Sequence, residues 1–352
     1  MSLDDQKPKV KERPRIDWSS VRSVLVVKLR SIGDTVLATP SLIALRRFLP
    51  DAQIDVLLED WVAPVLEGFE GVNVIPVGKT SASRARTALD LRRRGYDVAF
   101  NLHGGTTATF FIAASGARHR VGYTEYRYSF LYNHLLASSS EFWGREKTHS
   151  AEQQLALLGH VGIPVDDRPK TRLSVTDTGV SPRIREWLGR DGYALIHPAT
   201  AFATKQWAPE NFARTADLLA ETGLDVVAIS SKPESHILDA VKRETHSALT
   251  TFDDLTLPEI TALASEARIF VGNDSGIAHI AAAVSTPSVI IFGSSNRAHW
   301  GPWTDAPNEI VYEHFECQPC HGYSCDVYGE PRCIQSVSVE KVSDAIRRLL
   351  GG

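Results

Sequence analysis

The chain has 352 residues, 43% hydrophobic and 23% charged, a water-soluble composition long enough for two domains. Its formal net charge of -4 argues against a general nucleic-acid binder, which would carry a basic excess. No apolar run approaches the ~20 residues of a membrane span, and the start is polar with no signal-peptide core, so a cytoplasmic protein is expected.

Residues 1–20 carry Lys7, Lys9, Lys11, Arg13 and Arg15 with Pro8 and Pro14, the composition of a disordered basic tail. Such a tail is ordinarily solvated; it could also make a peripheral contact with an anionic inner membrane. Residues 23–29 are an almost unbroken apolar run, as in a strand buried on both faces of a parallel sheet. The turn Arg30-Ser-Ile-Gly-Asp-Thr35 leads into a helix over 36–48. Strands follow at 53–58 and 72–77, with a short helix from Trp61 between them. An Arg-rich helix at 83–94 precedes a strand at 96–102. His103-Gly-Gly-Thr-Thr107 opens a further helix, 120–123 is one more short strand, and a helix at 149–161 ends this half.

Residues 162–190, rich in Pro, Asp and Thr, have linker composition. A second series then runs strand 193–196, helix 211–222, strand 224–229 and helix 234–246. It continues with helix 258–266, strand 268–271, helix 277–284 and strand 288–292. An amphipathic helix at 339–350 is expected to pack back onto the first half. This alternation predicts an α/β protein of two Rossmann-like domains facing a central cleft, over 21–175 and 176–335, with a terminal helix in 336–352. Ligands in such sheets bind beyond the carboxyl ends of the strands.

Three loops at such ends carry chemistry. In the first, Gly33 permits a sharp turn and Asp34 begins a helix, where it is either an N-cap or an available carboxylate. In the second, His197 to Pro209, the residues Thr200, Thr204 and Lys205 offer hydroxyls and an ammonium suited to a diphosphate. In the third, Asn273, Asp274, Ser275 and Gly276 start a helix whose free N–H groups form an anion site. His279 stands one turn in, on the face of Ser275. All four cysteines fall late, as Cys317-x2-Cys320-x4-Cys325-x7-Cys333 in a loop over 317–333. They are either a closed structural Zn²⁺ site or four reduced thiols, and neither gives them a catalytic role.

Taken in order, Ile32-Gly33-Asp34 with Pro40, Lys205-x-Trp207-x-Pro209 and Asp274-Ser-Gly276-x-x-His279 resemble glycosyltransferase family 9. Asn101-Leu-His-Gly104, Gly116-Ala117, Arg120-Val-Gly122, Ala281-Ala-Ala283 with Val289, and Phe292-Gly293-x6-Trp300-Gly-Pro302 are similar too. The resemblance spans about residues 23–350. It implies a GT-B fold, an acceptor-binding first domain and a nucleotide-sugar-binding second one. The implied reaction moves a heptose from ADP-heptose to a sugar hydroxyl of the lipopolysaccharide inner core, with inversion, on a lipid-linked saccharide acceptor. Asp34 matches the proposed general base, and Thr200 and Lys205 match the diphosphate-binding groups. Asp274, Gly276 and His279 match the donor motif, and Glu234 a ribose-binding acid. Arg30, His103 and Arg120 fall on the acceptor side.

No Asp-x-Asp pair occurs in the chain, so Lys205 and the helix start after Asp274 are expected to meet the leaving diphosphate without a metal cofactor. The sequence departs from the family pattern at Asn101 (often Asp), at Thr106 and Thr107 (often a basic residue nearby) and at Ala201. These changes bear on the acceptor and the sugar. A nucleotide-sugar epimerase and a non-catalytic nucleotide-sugar binder are the rival classes. No Gly-x-Gly-x-x-Gly follows Val27 or Leu195, which speaks against a nicotinamide oxidoreductase.

Overall fold

The computed structural model describes residues 16–176, 180–190, 192–320 and 323–351. The basic run Lys7–Arg15 lies outside them. Residues 16–20, assigned by composition to the tail, are folded. Trp18 packs edge-on to Phe48 and donates its indole N–H to the Val161 carbonyl at 2.9 Å.

The first sheet contains β1 (Ser23–Leu29), β2 (Gln53–Glu59), β3 (Asn73–Val77), β4 (Val98–Asn101), β5 (His119–Tyr123) and β6 (His134–Leu136). The second contains β7 (Tyr193–His197), β8 (Asp225–Ile229), β9 (Thr250–Phe252), β10 (Ile269–Asn273), β11 (Ser288–Phe292) and β12 (Asn308–Tyr312). Both are six-stranded and parallel, ordered β3-β2-β1-β4-β5-β6 and β12-β11-β10-β7-β8-β9. In each, the first strand of the domain has neighbours reached by crossovers on either side, which makes a switch point at its carboxyl end. From Val24 onward β1 is buried throughout, and β7, β10 and β11 are wholly buried, as their uninterrupted apolar runs require.

The single helix expected over 36–48 is two. Ile32–Val36 and Thr39–Phe48 are separated at Leu37 and Ala38, with Pro40 in the opening turn of the second, where its missing N–H costs no bond. The terminal helix Val339–Leu350 does not return to the first domain. It packs on β10, β11, β12 and the helix Pro209–Glu221, burying Val342, Ala345 and Ile346 among Val289, Ile291 and Phe212. Its apolar stripe was legible, but the nearer sheet face was the partner.

The domains share one continuous core, from Val26 and Phe100 in the first sheet to Phe270 and Phe292 in the second. The linker ties them further. Thr171 donates its N–H and hydroxyl to the Trp303 carbonyl, Trp303 returns its indole N–H to Pro169, and Leu173 N–H bonds to the Ala283 carbonyl.

Candidate active site

The cleft between the sheets, about 780 Å³, is where their strand ends meet. On the first-domain wall, Leu29 ends β1 with φ of +45°, a left-handed conformation that a non-glycine residue rarely adopts. The chain then turns into the helix Ile32–Val36, which carries Asp34 into the cleft. One carboxylate oxygen of Asp34 accepts from Lys28 Nζ at 3.0 Å, and the other from the Ser31 hydroxyl at 3.0 Å. Lys28 is itself buried, and its ammonium also donates to the Leu102 carbonyl at 3.0 Å. Burial pushes the Asp34 carboxyl upward. The Lys28 charge and hydrogen bond, the Ser31 hydroxyl and the charge of His103 outweigh it, so the acid is held below its ordinary value of 3.8. His103, beside it, is pushed down to about 4, first by burial and then by Lys28, and is neutral at pH 7.

On the opposite wall, Asp274 directly follows β10 and bridges two donors. Its Oδ2 accepts from Lys205 Nζ at 2.8 Å and from the Ser295 hydroxyl at 2.5 Å. Lys205 also lies 5.3 Å from the centre of the Phe202 ring. Asn273, fully buried, fixes the loop that carries Lys205: its Oδ1 accepts from Trp207 N–H and its Nδ2 donates to the Pro198 carbonyl. Ser275 caps the helix Gly276–Ala283, and its hydroxyl lies 3.2 Å from His197 Nδ1. Burial lowers His197 to about 4, against the pull of Glu234.

Two glycines let these walls touch. A Cβ on Gly33 would lie 2.7 Å from the His279 ring, and one on Gly276 would lie 2.8 Å from Ile32 Cβ and 3.1 Å from Gly33 N. The helices Ile32–Val36 and Gly276–Ala283 therefore start side by side at the cleft floor, one from each domain. His279 is wedged between them, its protonation opposed by burial.

Residues 84–329 match the family described as glycosyltransferase family 9 (heptosyltransferase), well over half of the chain. The chain belongs to glycosyltransferase family 9. Lipopolysaccharide heptosyltransferase 3 of Escherichia coli is 28% identical over 302 residues, covering 79% of this chain and 85% of that protein. The family 9 glycosyltransferase of Veillonella parvula superposes with a TM-score of 0.79 at 18% identity, covering 94% and 97% of the two chains. E. coli heptosyltransferase WaaC, solved with ADP, gives 0.71 at 19%, covering 93% and 99%. The fold of this transferase is thus the GT-B arrangement of two facing α/β domains.

Within this glycosyltransferase, Asp34, Thr200, Lys205, Asp274, Ser275, Gly276 and His279 all line the one cleft. Glu234 stands aside, after β8, where its carboxylate accepts from the Ser231 hydroxyl in a capping box. Thr204 does not face the cleft: it is buried, and its hydroxyl accepts from Ser294 at 3.0 Å. Arg120 is spent on structure, donating to the Leu131 and Ala117 carbonyls at 2.5 and 2.6 Å. Arg30 is exposed beside His103, outside the cleft lining. Asn101, which departs from the family pattern, is buried and orders the turn, accepting the N–H groups of His103 and Gly104. Sequence reasoning missed Lys28 and Ser295. A lone lysine inside the apolar run of β1 was the available signal for Lys28; Ser295 had none.

The four cysteines surround one small space, closed by Thr204, Ser294, Phe315 and Tyr328. Among the described residues, however, no three or more Cys, His, Asp or Glu side chains are gathered closely enough to hold an ion. Cys320 also lines the cleft, next to Pro319 and Tyr323. Its loop is sewn to the end of β11: Cys320 N–H donates to the Ser294 carbonyl, and the Gln318 amide donates to the Gly293 carbonyl at 2.6 Å.

Proposed function

We propose that this family 9 enzyme transfers a heptose from an ADP-heptose donor to a sugar hydroxyl of a lipid-linked lipopolysaccharide core acceptor, with inversion and without a catalytic metal. The observation that carries the reading is the pairing of opposed walls. An ionised Asp34, fixed by Lys28 and Ser31, faces a Lys205–Asp274 pair across one cleft. The relatives' names supply the sugar and acceptor class, and the ADP held by WaaC supplies the nucleotide.

In this mechanism the donor diphosphate lies by Lys205, Thr200 and the N-terminus of the helix Gly276–Ala283. The acceptor hydroxyl lies by Asp34. Its oxygen attacks the anomeric carbon on the face opposite the diphosphate. The carbon–oxygen bond to phosphate breaks, its electron pair leaves with ADP, and the hydroxyl proton passes to Asp34. A carboxylate held this acidic is a weak base. It suits a late proton transfer, after the oxocarbenium-like centre has acidified the attacking hydroxyl. Lys205 meets the charge growing on the leaving oxygens.

Calorimetry with ADP, UDP, GDP and CDP tests the donor assignment. Selective ADP binding, weakened by roughly 1.5–3 kcal/mol in Lys205→Ala as for a charge-assisted contact, is expected. Tighter binding of another diphosphate would keep the transferase and discard ADP-heptose. The Ala201, Thr106 and Thr107 departures make that second reading, another sugar or acceptor, the one to test against.

We further propose that the four thiols take up a structural Zn²⁺, since all four line one small space and four thiolates are the donor set of a closed tetrahedral site. Holding the ion requires the thiols to close in from the positions described above. Elemental analysis of protein purified without chelator should find one zinc per chain, lost in Cys333→Ser. Metal-free wild type with four titratable thiols would refute it.

A further inference from the structure

The segment over residues 79–127, which supplies the outer helices of the first domain, carries a charge opposite to that of the whole molecule, with Arg84 and Arg94 of its nine cations paired to Glu59 and Asp55. Residues 79–127 hold nine Lys and Arg against three Asp and Glu, in a chain whose net charge is -4. Five of the nine, Arg84, Arg86, Arg92, Arg93 and Arg94, lie on the helix Ser81–Arg94, whose sole acidic residue is Asp90. On that helix Arg86, Leu89 and Arg93 recur at three- and four-residue spacing, and all three are exposed. The inward face buries Ala88 and Leu91.

Large apolar side chains interleave with these charges. Leu89 is 60% exposed, Phe110 49%, Tyr128 45% and Phe130 79%. They share one layer. Helices Ser81–Arg94 and Gly105–Ser115 pack side by side, and the segment bearing Tyr128 and Phe130 runs on to Tyr132, whose hydroxyl lies 2.9 Å from that of Thr109 in the second helix. Arg127 stacks its guanidinium over the Tyr128 ring, 5.2 Å from its centre. The helix bearing Phe110 opens at the His103–Gly104 turn, beside Asp34.

Protruding Leu and Phe among arginines fit one surface: the interfacial region of an anionic bilayer. There apolar tips reach the acyl boundary while guanidiniums pair with lipid phosphates. A nucleic acid would leave Leu89 and Phe110 without partners. A second copy of this layer would set like charges together.

We propose that this layer docks the enzyme on an anionic membrane, with the His103 turn directed toward lipid-linked substrate. The docking itself does not depend on which sugar is transferred, because it is measured without turnover.

Full-length protein is sedimented with vesicles of phosphatidylethanolamine and phosphatidylglycerol, and with pure phosphatidylcholine vesicles. Binding to the first, weakening with salt and absent from the second, is expected. Arg86→Gln and Arg93→Gln should each lower partitioning about fivefold, from ~1 kcal/mol per arginine. Leu89→Ser combined with Phe130→Ser should lower it at least as much, with thermal melting unchanged because both side chains are exposed. Binding unaffected by these variants, or binding abolished only by deleting residues 1–15, would overturn the proposal. So would a change in self-association without a change in lipid binding.

Discussion

Asp34 is defined less by itself than by Lys28. The lysine is 3% exposed and surrounded by apolar β1 neighbours, a costly place for a cation unless it is paired. Its partners are Asp34 and the Leu102 carbonyl, so the ammonium is satisfied only when the base is ionised. The sign of the pH effect follows. With Asp34 held below 3.8, the acid limb of kcat/KM in wild type should lie below that pH. In Lys28→Met, burial remains while the counter-charge is gone, so the limb should move upward. Nucleotide affinity on the far wall should be unchanged. A pH–rate profile of the two proteins checks this; coincident acid limbs would mean that Lys28 only supports the fold. Asp34 was legible in sequence as a helix-start carboxylate after a glycine turn. Its tuning was not, because the five intervening residues bend through a left-handed Leu29 before Lys28 and Asp34 meet.

At the scale of elements, what could be read was whatever has a strong local cause. Buried central strands announced themselves as unbroken apolar runs, and the expected bounds of the run Ser288–Phe292 and of the terminal helix Val339–Leu350 match the structure. The edge strands β6, β9 and β12 were missed. They are three to five residues long, and β9 and β12 are mostly half-buried or exposed, so neither length nor hydrophobic alternation marks them. Pairings between distant elements were also out of reach. Lys205 meets Asp274 across 69 residues, and Gly276 needs to be glycine because Ile32, on the other domain, lies against it. Thr204 shows the converse failure. It stands one residue from Lys205 and was assigned to the same ligand, but the 3-10 turn Ala203–Lys205 rotates it to the cysteine side.

The whole molecule depends on how firmly the two domains are held, and His149 is a titratable part of that joint. It caps the helix Ser150–His160 by accepting the Ala151 N–H on Nδ1, which leaves Nε2 to donate to the Gly301 carbonyl of the other domain at 2.9 Å. Its ring stacks on Trp303 with centroids 4.6 Å apart. Both nitrogens are therefore committed to the neutral form, and burial lowers the group to about 3. An unfolded histidine titrates near 6.5, so above that pH the two states bind the same number of protons. As pH falls from 6.5 toward 3, the unfolded chain takes up a proton that the folded one refuses, and stability is lost. At about 1.4 kcal/mol per unit, this histidine accounts for roughly 2–3 kcal/mol of loss by pH 4.5. His149→Gln keeps a polar side chain but cannot titrate, so it should be less stable at pH 7.5 yet lose less on acidification. Denaturant midpoints at pH 7.5 and 4.5 for both proteins measure the difference. Equal acid losses would show that the joint between the domains is indifferent to this proton, and that other buried histidines, among them His103 and His197, both lowered to about 4, and His279, carry the pH dependence instead.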